Sequence, residues 1–287
     1  MSVARWQSPW HDRSGRFSAL KTTVFLLLPL PALAQAIAWV VYGLSGHPSQ
    51  TALLLSGFWA DRLLVLTLAV TPLASLFALP RLVLVRRMLG VAAAAYAAAH
   101  LVIYAVQQGF AWGFIAAQMV SHLVLTIGLA SLLGLAALAL TSTDGWVRRL
   151  GRAWKRLHLL AHPATVLALL HSFMEAPSDV TLSATYAGFY LWLLGWRLLP
   201  KAWRRHPLAL LALALAASAA TAALEAGWYA LATGLPWARV LAANLSLVAG
   251  VRPAQWVALG GLAIAAAVAL RLMTRLPASA ISLSARE

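Results

Sequence analysis

Residues 88–107 read MLGVAAAAYAAAHLVIYAVQ, and residues 158–176 read HLLAHPATVLALLHSFMEA. Each is an apolar run of about twenty residues, which is long enough to cross the hydrocarbon core of a bilayer as an α-helix. His100 lies deep in the first run, His171 lies deep in the second, and His158 stands at the start of the second. Imidazole is costly in lipid unless it faces the bundle interior and has a partner, so these histidines predict a functional site.

Apolar runs of similar length recur along the whole chain. The sequence is 62% hydrophobic and only 10% charged, and its mean hydropathy is +0.81. These values are typical of a multi-pass membrane protein rather than a soluble domain. We therefore predict an all-α, polytopic membrane helix bundle of about eight transmembrane helices, at residues 22–43, 57–79, 88–107, 112–141, 158–176, 183–200, 208–233 and 254–275. Residues 235–251 are apolar but short, and they predict an interfacial segment or re-entrant loop.

The basic residues are distributed unevenly between the two sides of these spans. Nineteen of the 22 lysines and arginines fall in one set of alternating loops and tails, and only Arg62, Arg239 and Arg252 fall in the other. By the positive-inside rule, this asymmetry predicts that both termini lie in the cytoplasm and that the number of crossings is even. Residues 1–21 are expected to form a retained cytoplasmic tail. The net charge of +15 therefore indicates membrane topology, and no nucleic-acid partner is expected.

Two of the histidines are expected to lie at the same depth. His100 follows Arg87 by thirteen residues, and His171 follows His158 by thirteen residues. At about 1.5 Å per residue, each lies roughly 20 Å into its helix. Two imidazoles on facing helices at one depth are what a six-coordinate haem between helices requires. The chain has no cysteine, which excludes thiolate ligands, iron–sulfur clusters and disulfides.

His158 belongs at the cytoplasmic boundary, directly after the basic stretch 148–156. It is either an interfacial residue or a ligand of a second, inner haem. An inner haem would need a partner about 14 residues before His100, but position 86 is Arg86. The sequence therefore supports the outer site and does not support an inner one.

Three further polar positions have alternative interpretations. His122 is best interpreted as a satisfied core histidine, although it could lie near the haem. Arg62 is expected either to contact a haem propionate or to form an interfacial anchor with Asp61 beside Trp59. Glu225 is predicted to be an isolated buried carboxylate, marking either a proton or quinone site or a water-filled crevice.

An ordered run of motifs resembles a known family. The motifs are Ser56-Gly57-Phe58-Trp59-Ala60, Leu66-Thr67-Leu68-Ala69-Val70-Thr71-Pro72-Leu73, Arg86-Arg87-Met88-Leu89-Gly90 and Tyr96…His100…Tyr104, followed by Leu157-His158 and His171. Together they resemble the MsrQ (YedZ) family, the haem-binding membrane subunits of the periplasmic methionine sulfoxide reductase system. That family lies within the ferric-reductase-like transmembrane superfamily. The resemblance covers roughly residues 20–200.

The resemblance implies a b-type haem protein that passes electrons across the inner membrane to a periplasmic molybdopterin-containing reductase. The family's haem histidines match His100, His158 and His171, which the resemblance marks as axial ligands of haem iron. The family is also associated with FMN at the cytoplasmic side, for which the sequence shows no local motif. The chain departs from the family at His122-Leu123-Val124, where Arg-Pro-Tyr is usual, and at His162, where an aromatic residue is common.

We thus expect a cytoplasmic tail (1–21), a ferric-reductase-like haem-binding domain (22–200) and a two-helix membrane extension (201–287). The expected function is electron transfer as a subunit, with no catalytic residues of its own. It would carry one haem b, with a second left open, and take electrons from a cytoplasmic flavin reductase or the quinone pool. The alternatives are a stand-alone ferric or quinone reductase-like cytochrome, and a membrane transporter or assembly factor without haem.

Overall fold

The computed structural model describes residues 10–11, 15–42, 48–176, 178–248 and 250–274. Within these ranges the chain is helical, and its only β-pairing is an isolated bridge between His11 and Phe17. The predicted all-α fold is therefore confirmed. Most of the predicted tail 1–21 lies outside the described residues, as do the terminal basic residues Arg275 and Arg286.

The described part of the chain forms thirteen α-helices and two short 3₁₀ turns. The helices are α1 (Ala19–Leu27), α2 (Leu30–Tyr42), α3 (Pro48–Leu76), α4 (Arg86–Gln107), α5 (Trp112–Ser121), α6 (Leu123–Leu140), α7 (Asp144–Leu150), α8 (Arg152–Leu157), α9 (Ala161–Glu175), α10 (Thr181–Leu198), α11 (Pro207–Thr233), α12 (Trp237–Leu245) and α13 (Pro253–Met273). The 3₁₀ turns cover Pro80–Val85 and His158–Leu160.

Prolines explain two of the breaks. Proline lacks an N–H, and its ring clashes with the carbonyl four residues earlier. The first predicted span is therefore split at Pro29, between α1 and α2. In the same way, Pro163 lies four residues after Leu159, and the residues before α9 form a 3₁₀ turn instead of a continuous α-helix. His158 consequently lies in that turn rather than on α9.

The predicted single span 112–141 is wrong, because the structure breaks it at His122. This residue has an extended backbone (φ −108°, ψ 113°) that ends α5 and precedes α6. The Thr126 hydroxyl donates to the Met119 carbonyl at 2.7 Å, which satisfies an oxygen that the break leaves without its helical partner. The break has no proline or glycine, so no local sequence signal predicts it.

Seven helical segments of the described chain are long and apolar enough to cross a membrane. They overlap seven of the eight predicted spans, which confirms a multi-pass membrane protein. The remaining prediction, 183–200, corresponds to α10. This helix is present, but it is not among the seven. It includes Arg197 and several tyrosines and tryptophans, which lower its apolar character. A crossing by α10 stays a prediction.

The chain divides into two compact units. The first comprises Met1–Thr71 and Pro80–Ala176. Its core joins side chains from α3, α4, α6 and α9, namely Leu63, Leu64, Ala93, Ala94, Leu135, Leu138 and Ala164. Alanine on α4 and α9 lets these helices pack closely.

The second unit comprises Pro72–Leu79 and Pro177–Glu287. In it α10, α11 and α13 pack against one another, and α12 packs against α11 and α13. The buried face of α10 is rich in aromatic residues, including Tyr186, Tyr190, Trp192 and Trp196. By compactness, α10 therefore groups with the C-terminal helices. The predicted boundary at residue 200 concerns the extent of the ferric-reductase-like domain rather than the compact units, and it stays a prediction.

Candidate functional site

His100 on α4 and His171 on α9 face each other inside the first unit. Their ring centroids lie 6.1 Å apart, and the ring planes are perpendicular, at 89°. Both side chains are half-buried and line one cavity. The structure thus brings together the two histidines that the sequence placed at equal depth on different helices.

A backbone carbonyl holds each of these imidazoles. His100 Nδ1 lies 2.8 Å from the Leu53 carbonyl oxygen on α3, and His171 Nδ1 lies 3.0 Å from the Val124 carbonyl oxygen on α6. A carbonyl oxygen can only accept a hydrogen bond, so Nδ1 donates in both rings. When such a ring is neutral, its proton is on Nδ1 and the lone pair of Nε2 is available to a ligand. Such a bond to the second nitrogen is what orients histidine ligands of metals.

The cavity between the two rings is lined mainly by apolar side chains from α3, α4, α6 and α9. One wall is polar. Asp61 is buried (3% exposed) and accepts a hydrogen bond from the Ser172 hydroxyl. Glu175 also lines the cavity, and its side chain is exposed. The site therefore combines two imidazoles, an apolar interior and one acidic wall.

These residues fit a haem better than a bare metal ion. In the described part of the chain, no three His, Asp or Glu side chains are grouped as a bare ion would need. A haem brings four ligands of its own and needs only two from the protein. Both imidazoles line the same mainly apolar cavity and would supply these two ligands.

His158 is not among the residues that line this cavity. Its ring stacks on Trp154, with centroids 3.8 Å apart, and its Nδ1 lies 3.1 Å from the Trp154 carbonyl oxygen. Its Nε2 lies 3.5 Å from the Ser142 hydroxyl. His158 therefore has a separate environment, formed by the segments before α9 and after α6.

The structure corrects the interpretation of His122. Its side chain is exposed, and its Nδ1 lies 3.0 Å from the Ser121 hydroxyl, so it is not a core histidine. It does not line the cavity either.

Arg62 lies beside Trp59 as expected, and the anchor that pairs it with Asp61 stays a prediction. The Arg62 guanidinium carbon lies 4.2 Å from the centroid of the Trp59 ring, which is a cation–π contact. The Asp61 carboxylate accepts a hydrogen bond from the Ser172 hydroxyl. Arg62 is not among the cavity-lining residues, so a contact between Arg62 and a haem propionate stays a prediction.

Glu225 is buried as predicted, with 0% exposure, but it is not isolated. In the second unit it forms an ion pair with Arg252, and Asn244 Nδ2 donates to its second oxygen at 2.7 Å. The prediction of an isolated carboxylate is therefore wrong. The alternatives of a proton or quinone site and of a water-filled crevice stay predictions.

The sequence analysis missed two glycines that lie against the histidines, Gly57 beside His100 and Gly128 beside His171. A signal was present, because each histidine follows its glycine by 43 residues. Such a spacing acquires meaning only when the contacts are known.

The chain is similar to known proteins over most of this unit. A family model described as "Ferric reductase like transmembrane component" matches residues 56–169, which include His100 and stop just before His171. No solved structure matches the chain.

Several curated relatives carry the name protein-methionine-sulfoxide reductase heme-binding subunit MsrQ. The protein from Xanthomonas campestris pv. campestris (strain 8004) is 45% identical over 152 residues, covering 52% of this chain and 67% of the relative. The protein from Rhodospirillum rubrum is 37% identical over 197 residues, covering 68% of this chain and 92% of the relative. Because the similarity extends over nearly all of the R. rubrum protein, the chain belongs to the MsrQ family of ferric-reductase-like transmembrane proteins.

Proposed function

We propose that this chain is a b-type haem membrane subunit that transfers electrons across the inner membrane to a periplasmic, molybdopterin-dependent protein-methionine-sulfoxide reductase. The observation that carries the proposal is the facing pair His100 and His171, each tied through Nδ1 to a backbone carbonyl. The relatives' names, which specify haem binding and methionine sulfoxide reduction, supply the reaction context.

His100 and His171 would hold the haem through their Nε2 atoms. The bound haem supplies a one-electron redox couple whose potential depends on its ligands and surroundings. The carbonyl oxygens of Leu53 and Val124 restrain the two rings, and they make each imidazole a stronger electron-pair donor to a metal. The apolar lining of the cavity excludes water from the ligand bonds. The chain's own contribution is therefore to bind, orient and insulate the group.

The charge distribution supports the direction of transfer that we propose. With 19 of 22 basic residues assigned to the cytoplasmic side, His100 and His171 fall toward the periplasmic side, near a periplasmic acceptor. His158 falls near the cytoplasmic boundary, in reach of a cytoplasmic flavin reductase or a quinone pool. Its stacking on Trp154 gives it a fixed position there, and we include it as a candidate ligand or contact for a second haem or FMN.

The decisive experiment is a visible spectrum with haem quantification on the purified protein. We expect sharp reduced b-type bands that disappear in His100→Ala and in His171→Ala, while both variants remain inserted in the membrane. His122→Ala is the matched control, because this histidine is exposed and outside the cavity. Full haem content in both ligand variants would refute the site, and a wild-type protein without haem would favour a transporter or assembly factor.

The acceptor is tested with the same material. With a catalytic amount of a periplasmic molybdopterin reductase, the reduced protein should be fully reoxidised under anaerobic conditions only when a methionine sulfoxide substrate is present as the terminal oxidant. Reoxidation by ferric chelates alone would favour the stand-alone ferric reductase instead.

A further inference from the structure

The two histidines are held by the same local arrangement on two different helix pairs. A Cβ atom built on Gly57 of α3 would lie 3.2 Å from His100 Nδ1, and one built on Gly128 of α6 would lie 2.9 Å from His171 Nδ1. These distances are shorter than ordinary van der Waals contact. Each imidazole therefore lies close against a helix at a glycine, where an added Cβ would crowd the ring.

The carbonyl that binds each ring belongs to the same helix as the glycine, one turn earlier. Leu53 precedes Gly57 by four residues, and Val124 precedes Gly128 by four residues. In both cases the histidine Nδ1 donates to that carbonyl, at 2.8 Å and 3.0 Å. The close approach at the glycine is what brings the carbonyl within hydrogen-bond distance of the ring.

Most of the cavity lining repeats at one sequence spacing of 71 residues. Gly128 follows Gly57 by 71 residues, and His171 follows His100 by the same 71 residues. Ten pairs of cavity-lining residues are related in this way, so the helix pairs α3–α4 and α6–α9 contribute equivalent positions to the cavity. Three further pairs are identical in sequence, namely Leu54 and Leu125, Leu64 and Leu135, and Ala97 and Ala168.

The polar wall is not repeated. Asp61 corresponds to Leu132, and its partner Ser172 corresponds to Leu101. Histidine is the only polar residue type of the lining that occupies equivalent positions in both helix pairs. What the two pairs share is therefore the unit of glycine, carbonyl and histidine.

We propose that Gly57 and Gly128 are positioning residues for the two axial histidines of the haem. By lacking a Cβ, each glycine lets its helix approach until the carbonyl one turn earlier fixes Nδ1, which directs Nε2 of His100 and His171 toward a common centre. This inference rests on the proposed haem function. It adds that the ligand geometry is set by α3 and α6, which carry no ligand themselves.

Gly128 is the more sensitive of the two positions. Alanine there would place its Cβ 2.9 Å from two ring atoms of His171, so the ring or the helix must move, and we expect this shift to disturb the bond to Val124. At Gly57 the nearest ring atoms are 3.2 Å and 3.3 Å away, which requires a smaller shift. Gly128→Ala should therefore have a larger effect than Gly57→Ala.

The test measures haem affinity, midpoint potential and the visible spectrum of the full-length protein carrying Gly57→Ala or Gly128→Ala. Loss of an outer partner of a ligand typically weakens metal binding by about tenfold or more, and we expect that loss for Gly128→Ala, together with a shifted potential. Matched controls are Gly134→Ala, also on α6, and Gly90→Ala on α4, whose nearest neighbours lie at the ordinary distances of 3.4 Å and 3.5 Å. Both controls should stay within about twofold of wild type.

Several outcomes would overturn the inference. Wild-type affinity and potential in both Gly57→Ala and Gly128→Ala would show that neither glycine positions a ligand, even if the wild-type protein binds haem as proposed. Equal losses in the control variants would show a general packing effect instead. If Gly128→Ala does not fold, Gly57→Ala decides alone, since its contact is milder. A wild-type protein that binds no haem would refute the proposed function itself, and the inference with it.

Discussion

The ion pair between Glu225 and Arg252 provides a quantitative test of how the second unit is held together. Glu225 on α11 is completely buried, whereas the Arg252 side chain, at the start of α13, is 24% exposed. Asn244 of α12 completes the group by donating to the same carboxylate at 2.7 Å. Three helices are thus joined through one carboxylate, and Arg252→Met would leave that carboxylate without its counter-charge.

The expected cost follows from the burial. Removing one partner of a buried ion pair destabilises a protein by about 3–5 kcal/mol, because the other charge stays buried and unpaired. Since Arg252 is partly exposed, we expect the low end, about 3 kcal/mol, or roughly a hundredfold in the unfolding equilibrium. Asn244→Leu removes a neutral donor to the carboxylate and should cost less, about 1–3 kcal/mol.

The assay is unfolding of the purified protein in mild detergent, followed by tryptophan fluorescence, with a double-mutant cycle. In Glu225→Gln/Arg252→Met the buried charge is gone, so the double variant should be more stable than Arg252→Met alone. Additive losses would refute the reasoning, because they would mean that the two side chains do not interact. Arg239→Met, which removes a charge from the neighbouring helix α12, is the control and should change little.

Two further predictions concern electron entry and topology. In His158→Ala, the rate of haem reduction by the cytoplasmic donor should fall more than haem occupancy does, because His158 stacks on Trp154 outside the His100–His171 cavity. Stopped-flow kinetics measure the rate, and haem quantification measures the occupancy. Unchanged reduction kinetics would make His158 a simple interfacial residue. The distribution of basic residues predicts that a reporter fused after Glu287 is active in the cytoplasm and that one inserted near Ser178 is active in the periplasm. A periplasmic signal from the C-terminal reporter would mean that one of the last predicted spans does not cross the membrane.

Some features of the site could be derived by counting along the chain. A histidine thirteen residues into an apolar run lies at a depth that the helix rise determines, so the pairing of His100 with His171 follows from two local segments. The carbonyls of Leu53 and Val124 could not be derived in this way. Each lies 47 residues before the histidine that it binds, and which carbonyl meets the ring depends on how the two helices are rotated and how closely they approach.

The sequence by itself determined that this protein is a helical membrane bundle with two histidines at one depth. Hydropathy and helix rise are properties of a local segment, which is why they suffice for those conclusions. Only the tertiary structure decided that His122 breaks a predicted span, that Arg252 partners Glu225 and that Gly57 and Gly128 support the imidazoles. Each of these depends on contacts between segments distant in sequence, and the energy of such contacts is set by distance and burial rather than by the neighbouring residues.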